Sequence, residues 1–344
     1  MNHEQYIKRC LEISKFGIGT TRPNPFVGAV LVVDNKIIGE GFTSPYGGSH
    51  AEVNAICAVK DQSLLKKATI YVTLEPCSHQ GKTPPCADLI IKSGIKKVVI
   101  GCEDSNALVA GKGIKRLQNS GCEVVVGVLE KECREHHKRF FTFHTKMRPY
   151  IILKWAQTSD GFVAPKTRMI QAPVWITNEY SRQLVHKWRS EEHGILVGTT
   201  TVLDDNPGLN IRQWKGENPI RIVIDKELKI PNNLKVYDGT VKTIFINENT
   251  TLTKGNIFFE KINFSKPIAL QICKLLFKHK IQSLIIEGGT ATIQTFINEN
   301  FWDEARVFVS KVNFNEGVKS PKFDHIHHKE ENIKEDLLKM YLND

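Results

Sequence analysis

His50-Ala51-Glu52, followed by Pro76-Cys77-Ser78-His79-Gln80-Gly81-Lys82-Thr83-Pro84-Pro85-Cys86, decides how the first half of this sequence folds. One histidine and two cysteines suit a tetrahedral zinc ion, and three protein ligands leave a fourth position open to water. A closed structural site would want a fourth ligand, for which His79 is the candidate. That arrangement leaves Glu52 unexplained; the open one uses it. Glu52 stands two residues from His50, on the same helical turn but displaced around the axis. It can face the open position without binding the metal. A carboxyl there can take a proton from water and pass it to a ring nitrogen and a leaving amine.

The surrounding pattern supports an α/β layer. Residues 27–33 and 36–42 read as strands joined by a hairpin turn at Asp34-Asn35, and 50–60 as a helix apolar nearly all round. A strand over 69–74, a helix over 86–93 closed by Gly94, and a strand–helix–strand unit over 97–128 follow. This alternation predicts helices on both faces of a mixed sheet. Residues 130–144 read as one polar helix, and Arg148-Pro149 as a boundary. A second α/β pattern then begins with a strand over 150–155 and runs to one over 306–312. The expected organisation is a first domain over 1–145, a second over 149–322, and a polar, weakly ordered tail over 323–344.

With 344 residues there is chain enough for two cores. Apolar runs such as 26–33 fall far short of the ~20 residues of a membrane span, and residues 1–10 carry no leader-like stretch, so the chain reads as cytoplasmic and off the membrane. The net charge of +10 is spread: residues 1–145 hold 19 Lys/Arg against 14 Asp/Glu, the remainder 28 against 23. Such interspersed charge argues for a solvated surface and against a nucleic-acid track. Cysteine is uneven. Seven of the eight lie in the first 145 residues, and in a cytosolic chain this favours metal ligation by a few over a disulfide framework. His136-His137 and His327-His328 sit in charged stretches and read as exposed surface.

His50-Ala51-Glu52 with Pro76-Cys77 and Cys86 resembles the cytidine/nucleotide deaminase superfamily, whose signature is H-x-E…P-C-x-x-C. The second spacing departs from it, with eight residues between the cysteines where the superfamily has two. That insertion, with Thr21-Arg22-Pro23-Asn24-Pro25-Phe26-Val27-Gly28 and Val109-Ala110-Gly111-Lys112-Gly113, is similar to the deaminase half of the bifunctional deaminase/reductases of riboflavin synthesis. The resemblance implies a cytidine-deaminase-like three-layer α/β/α domain, with His50, Cys77 and Cys86 on zinc and Glu52 as proton shuttle. It implies that Asn24 contacts the pyrimidine. Lys82 and the Gly111–Gly113 turn suit the substrate phosphate, through an ammonium and backbone N–H groups.

The second half has no G-x-G-x-x-G after a strand, which disfavours a standard dinucleotide fold. Instead Leu284-Ile285-Ile286-Glu287-Gly288-Gly289-Thr290 reads as a strand entering a helix whose first N–H groups can face an anion. Together with Lys154-Trp155-Ala156, Asp160-Gly161, Trp175-Ile176-Thr177 and the run Thr201–Pro207, it resembles the reductase half of the same enzymes. That implies a dihydrofolate-reductase-like α/β domain using NADPH. By resemblance the cofactor is lined by Ala156, Trp175, Thr201, Asp205, Gly289, Thr290, Ala291, Thr292, Ile293, Gln294 and Thr295. The substrate is lined by Arg189, Leu209, Arg212 and Glu287. Two arginines suit a ribose phosphate, because guanidinium forks bind phosphate bidentately. Two positions depart: Pro173 stands before Trp175 where a small hydroxyl residue is usual, and Lys226 follows Asp225 where a serine is usual.

The expected chemistry is hydrolytic deamination of a diaminopyrimidinone ribosylamine phosphate, then NADPH-dependent reduction of its ribosyl chain to ribityl. The expected partners are small phosphorylated pyrimidines, with self-association left open. The competing reading is a zinc nucleotide or tRNA deaminase whose second domain binds substrate without reducing it.

Overall fold

The computed structural model describes residues 2–78, 84–105, 110–167 and 169–343. The chain divides into two compact units, residues 1–147 and 148–344.

In the first unit, α1 (His3–Ser14) precedes the hairpin β1 (Gly28–Val33) and β2 (Lys36–Phe42). Asp34 and Asn35 both take positive φ, 47° and 61°, as the tight turn requires. Next come α2 (Ala51–Ala58), β3 (Thr69–Leu74), α3 (Cys86–Lys92), β4 (Lys97–Cys102), α4 (Lys112–Asn119) and β5 (Glu123–Val126). The sheet order is β2-β1-β3-β4-β5, with β1 antiparallel to its neighbours and β3, β4 and β5 parallel. Both β1 and β3 are buried along their whole length, which is why they read as continuous apolar runs. Residues paired across strands share a face, so Ala29 and Gly41 look toward α2 while Gly28 looks toward α1. A Cβ on Gly28 would stand 2.0 Å from the Cys10 carbonyl oxygen; glycine there lets α1 lie flat on the sheet. The result is three layers, with α2, α3 and α4 on one face.

Residues 130–144 do not form one helix. They break at His137 into α5 (Glu130–His136) and α6 (Lys138–Thr145). The pair expected at the surface is inside: His137 is 1% exposed with Nε2 3.1 Å from Thr73 Oγ1, and His136 Nε2 lies 2.8 Å from Ser14 Oγ. The break turns the His137 ring onto β3 and the His136 ring against α1. Burial, then the positive Lys15 and Arg139, push His136 down to about 4, and burial takes His137 well below its ordinary value. The unfolded chain binds these protons near pH 6.5 and the folded unit does not, so stability is full above that pH and drains as pH falls. For His136 alone the loss at pH 5 is about 2 kcal/mol. Thermal unfolding at pH 7.5 and 5 should show this drop, and His136→Gln should shrink it by about that amount.

In the second unit, β6 (Tyr150–Gln157), β7 (Phe162–Pro165), α7 (Glu179–Glu191), β8 (Gly194–Gly198), α8 (Thr199–Asp205) and β9 (Ile220–Ile224) come first. There follow β10 (Thr243–Asn247), β11 (Leu252–Lys254), β12 (Ile257–Lys261), α9 (Ile268–Lys278), β13 (Ser283–Ile286), α10 (Thr290–Asn298), β14 (Glu304–Val309) and β15 (Gly317–Lys319). The chain ends in β16 (Lys329–Ile333) and β17 (Asp336–Leu342). One ten-stranded sheet runs β11-β12-β10-β9-β8-β13-β6-β14-β17-β16, parallel from β12 to β14, with a buried cluster on each face.

The expected weak tail is a correction. β17 pairs antiparallel with β14 along its length, burying Leu338 and Tyr341. Asp336 is buried too, accepting from the Asn178 N–H and the Ser181 hydroxyl. Few apolar residues suffice because β14 offers a ready ladder of backbone hydrogen bonds.

Candidate active sites

His50 precedes α2 and Cys86 opens α3, while Cys77 follows the exit of β3; two helix starts and a strand end thus meet. His50 Nδ1 lies 3.6 Å from Cys77 Sγ and 3.3 Å from Cys86 Sγ, and one ligand atom from each residue falls within 4.8 Å of the others. A tetrahedral zinc with arms of about 2.0–2.3 Å separates its ligand atoms by roughly 3.3–3.8 Å. The donor set and its spacing fit that ion. The thiols hydrogen-bond to each other and to His50, which draws Cys77 down and pushes Cys86 up.

Glu52 is 4% exposed, in the first turn of α2, and contacts Cys86. Burial first, then the Cys77 charge, raise its carboxyl to about 7. Asn24 sits half-buried in a separate turn, its N–H on the Thr21 carbonyl, and among the described residues no contact ties it to the metal-ligand group. Lys82 and His79 lie outside the described residues.

Two amides of the Gly111–Gly113 turn, those of Gly111 and Gly113, are already taken. Glu75, 4% exposed, accepts from the N–H groups of Gly111 at 3.0 Å, Gly113 at 2.8 Å, Ile114 at 3.2 Å and Asp104 at 3.2 Å. A phosphate-binding role for that turn is therefore withdrawn, because a protein carboxylate already fills it. Sequence reading missed Glu75; its only signal was an acidic residue at the end of a buried strand.

In the second unit a cavity of about 1030 Å³ opens at the ends of β6, β8, β9 and β13. Gly198, the last residue of β8, and Gly289, just past the adjacent parallel strand β13, are the N-caps of α8 and α10. Ala156, Trp175, Thr201, Asp205, Arg189, Leu209, Arg212, Glu287 and residues 289–294 all line the cavity. Thr295 does not; past the first turn of α10, its hydroxyl donates to the Ala291 carbonyl. The departures Pro173 and Lys226 line it too, Lys226 Nζ standing 3.6 Å from Glu248.

Arg189 is already engaged. Its Nε and Nη2 donate to Glu287 at 2.9 and 2.7 Å, and Lys154 Nζ stands 3.6 Å from the same carboxylate. Burial alone would raise Glu287, but Arg189 and Lys154 outweigh it and hold the carboxyl at about 2. Burial, with Arg189 and Arg212 nearby, keeps His186 down at about 4 and so neutral. The roles of Lys154 and His186 were not anticipated. Lys154 was visible as part of a motif, whereas His186 is one turn from Arg189 on α7 and carried no signal of its own. Arg212 has no carboxylate partner among the described residues.

Residues 1–102 match the cytidine and deoxycytidylate deaminase zinc-binding region, and residues 149–312 match the RibD C-terminal domain. The riboflavin biosynthesis protein RibD of Aquifex aeolicus is 43% identical over 92% of this chain and 88% of its own length. That of Escherichia coli is 33% identical over 90% and 88%. The solved Thermotoga maritima diaminohydroxyphosphoribosylaminopyrimidine deaminase/5-amino-6-(5-phosphoribosylamino)uracil reductase superposes with a TM-score of 0.89 at 35% identity, covering 98% of this chain and 97% of that one. The likeness thus runs along nearly the whole length of the chain, and the chain belongs to the RibD family of bifunctional riboflavin-biosynthesis deaminase/reductases.

Proposed function

We propose that the first unit deaminates 2,5-diamino-6-ribosylamino-4(3H)-pyrimidinone 5′-phosphate and that the second reduces the ribosyl chain of the product to ribityl. The reading rests above all on the meeting of His50, Cys77 and Cys86 within ligand distance beside the buried Glu52. Those three residues hold zinc, which when bound supplies a hydroxide near neutral pH. Glu52 accepts the water proton on a carboxylate oxygen, delivers it to the ring nitrogen, and passes a proton to the departing amine, so that water and a C–NH2 group leave as C=O and ammonia. Asn24 orients the pyrimidine and Lys82 takes the phosphate.

In the second unit, NADPH supplies a hydride. The paired helix starts at Gly198–Thr201 and Gly289–Gln294 suit its phosphates, with Ala156, Trp175 and Asp205 along its length. Thr295 is left out of this set. Glu287, Leu209 and Arg212 face the substrate, and Arg212 is better placed than the engaged Arg189 to meet the phosphate. Charge shared between the halves suits two phosphate-bearing small molecules better than nucleic acid. Among the described residues no helix is long and apolar enough to cross a membrane. All eight cysteines are free, and reduced thiols suit a cytoplasmic setting.

The test follows ammonia release and NADPH oxidation together on the diaminopyrimidine phosphate. Both should proceed. Chelating the zinc should stop ammonia release while NADPH oxidation continues on substrate already deaminated. Ammonia without any NADPH oxidation would favour a deaminase with a non-reducing second unit.

A further inference from the structure

Eight residues separate Cys77 from Cys86, a connection too long to fix their spacing by covalent geometry alone. Two hydrogen bonds run directly between the segments, Cys86 N–H to Cys77 Sγ at 3.4 Å and Ala87 N–H to Cys77 O at 3.1 Å. Neither sets the direction in which Pro76-Cys77 leaves the sheet. α4 does. On one flank of Cys77, the Glu75 carboxylate takes four backbone N–H groups at and before the start of α4. On the other, Arg116 of α4 donates to the Ser78 carbonyl at 3.5 Å and to Asp88 of α3 at 2.8 Å. The fit is close: a Cβ on Gly113 would stand 2.1 Å from the Pro76 carbonyl oxygen.

The two contacts are unequal. Arg116 and Asp88 are 48% and 38% exposed, and such pairs are screened by solvent. Glu75 is buried and bonded through both oxygens, so it dominates.

We propose that Glu75 is a positioning residue for the metal: it pins α4 to the exit of β3, so that α4 sets the separation of the two thiols. The proposal rests on the reading of His50, Cys77 and Cys86 as zinc ligands. Partners bonded to the ligands themselves typically govern metal affinity 10- to 100-fold; Glu75 acts one step further out, through the segment that carries Cys77, so its effect falls at the lower end of that range.

The experiment measures the zinc dissociation constant of the full chain by competition with a chelator, for wild type, Glu75→Gln, Glu75→Ala and Cys77→Ala. Glu75→Gln keeps the side-chain shape and carries the test where Glu75→Ala does not fold. Both Glu75 variants should bind zinc about 10-fold more weakly. Acetate, whose methyl and carboxylate replace the atoms removed, should restore Glu75→Ala and leave wild type and Cys77→Ala unmoved. If both Glu75 variants bind within twofold of wild type while Cys77→Ala is weakened, the brace is refuted and the ligand assignment stands. Weakening in Glu75→Ala that acetate does not reverse also refutes it. Zinc binding unchanged in Cys77→Ala would instead overturn the ligand assignment.

Discussion

Glu52→Gln should lower ammonia release by about 10²–10⁴-fold while zinc content and NADPH oxidation on the deaminated substrate stay as they were. The size follows from the number of proton transfers assigned to one carboxyl. Water must lose a proton, the ring nitrogen must gain one, and the amine must gain one before it leaves. Among the described residues Glu52 is the carboxyl that acts on both His50 and Cys86. Glutamine matches glutamate in shape but cannot carry a proton back and forth. At the upper end the loss is about 5.5 kcal/mol of barrier.

The same variant separates the open zinc site from a closed structural one. In a closed site Glu52 is a buried polar neighbour, and its amide replacement would change stability without a selective effect on turnover. Zinc retention is the internal control, since Glu52 lies outside the ligand set. Loss of zinc in Glu52→Gln would mean that the carboxyl holds the metal and that the shuttle assignment is wrong.

The first site was legible because coordination chemistry constrains residue type. Only a few side chains bind zinc, so His50, Cys77 and Cys86 stood out despite their separation along the chain. Glu75 was not legible, because its partners are backbone N–H groups about thirty to forty residues away that leave no mark on composition. The Gly111–Gly113 turn shows the converse. Its glycines were read as facing a substrate phosphate, whereas the Gly111 and Gly113 amides donate to the protein's own Glu75. Residues 289–295 were assigned to the cofactor as one run; the start of α10 faces the cavity, so residues 289–294 line it and Thr295, past the first turn, does not. The tail failed for another reason. Polar composition describes the exposed face of β16 and β17, while the ladder offered by β14 belongs to the tertiary fold alone.

Replacing Glu287 by Ala should abolish NADPH-dependent turnover and cost the second unit about 3–5 kcal/mol, because Arg189 and Lys154 would be left buried without their counter-charge. Acid cannot mimic the substitution, since the carboxyl is held at about 2 and stays ionised through the pH range the enzyme tolerates. Two roles remain to be divided. If Glu287 only neutralises the two cations, replacing the whole cluster with Lys154→Met, Arg189→Met and Glu287→Gln should recover both stability and turnover, as replacing a buried ionic group by apolar atoms commonly does. If Glu287 also touches the sugar, stability should return and turnover should not. KM reports on the same question from the side of charge. The intact cluster has two cations to one anion, and Glu287→Gln leaves a stronger positive field beside Arg212, so a phosphate-bearing substrate should bind at least as tightly. A fall in kcat with KM unchanged or lower would place Glu287 at the reacting sugar. A rise in KM with kcat unchanged would confine it to ordering the pocket wall.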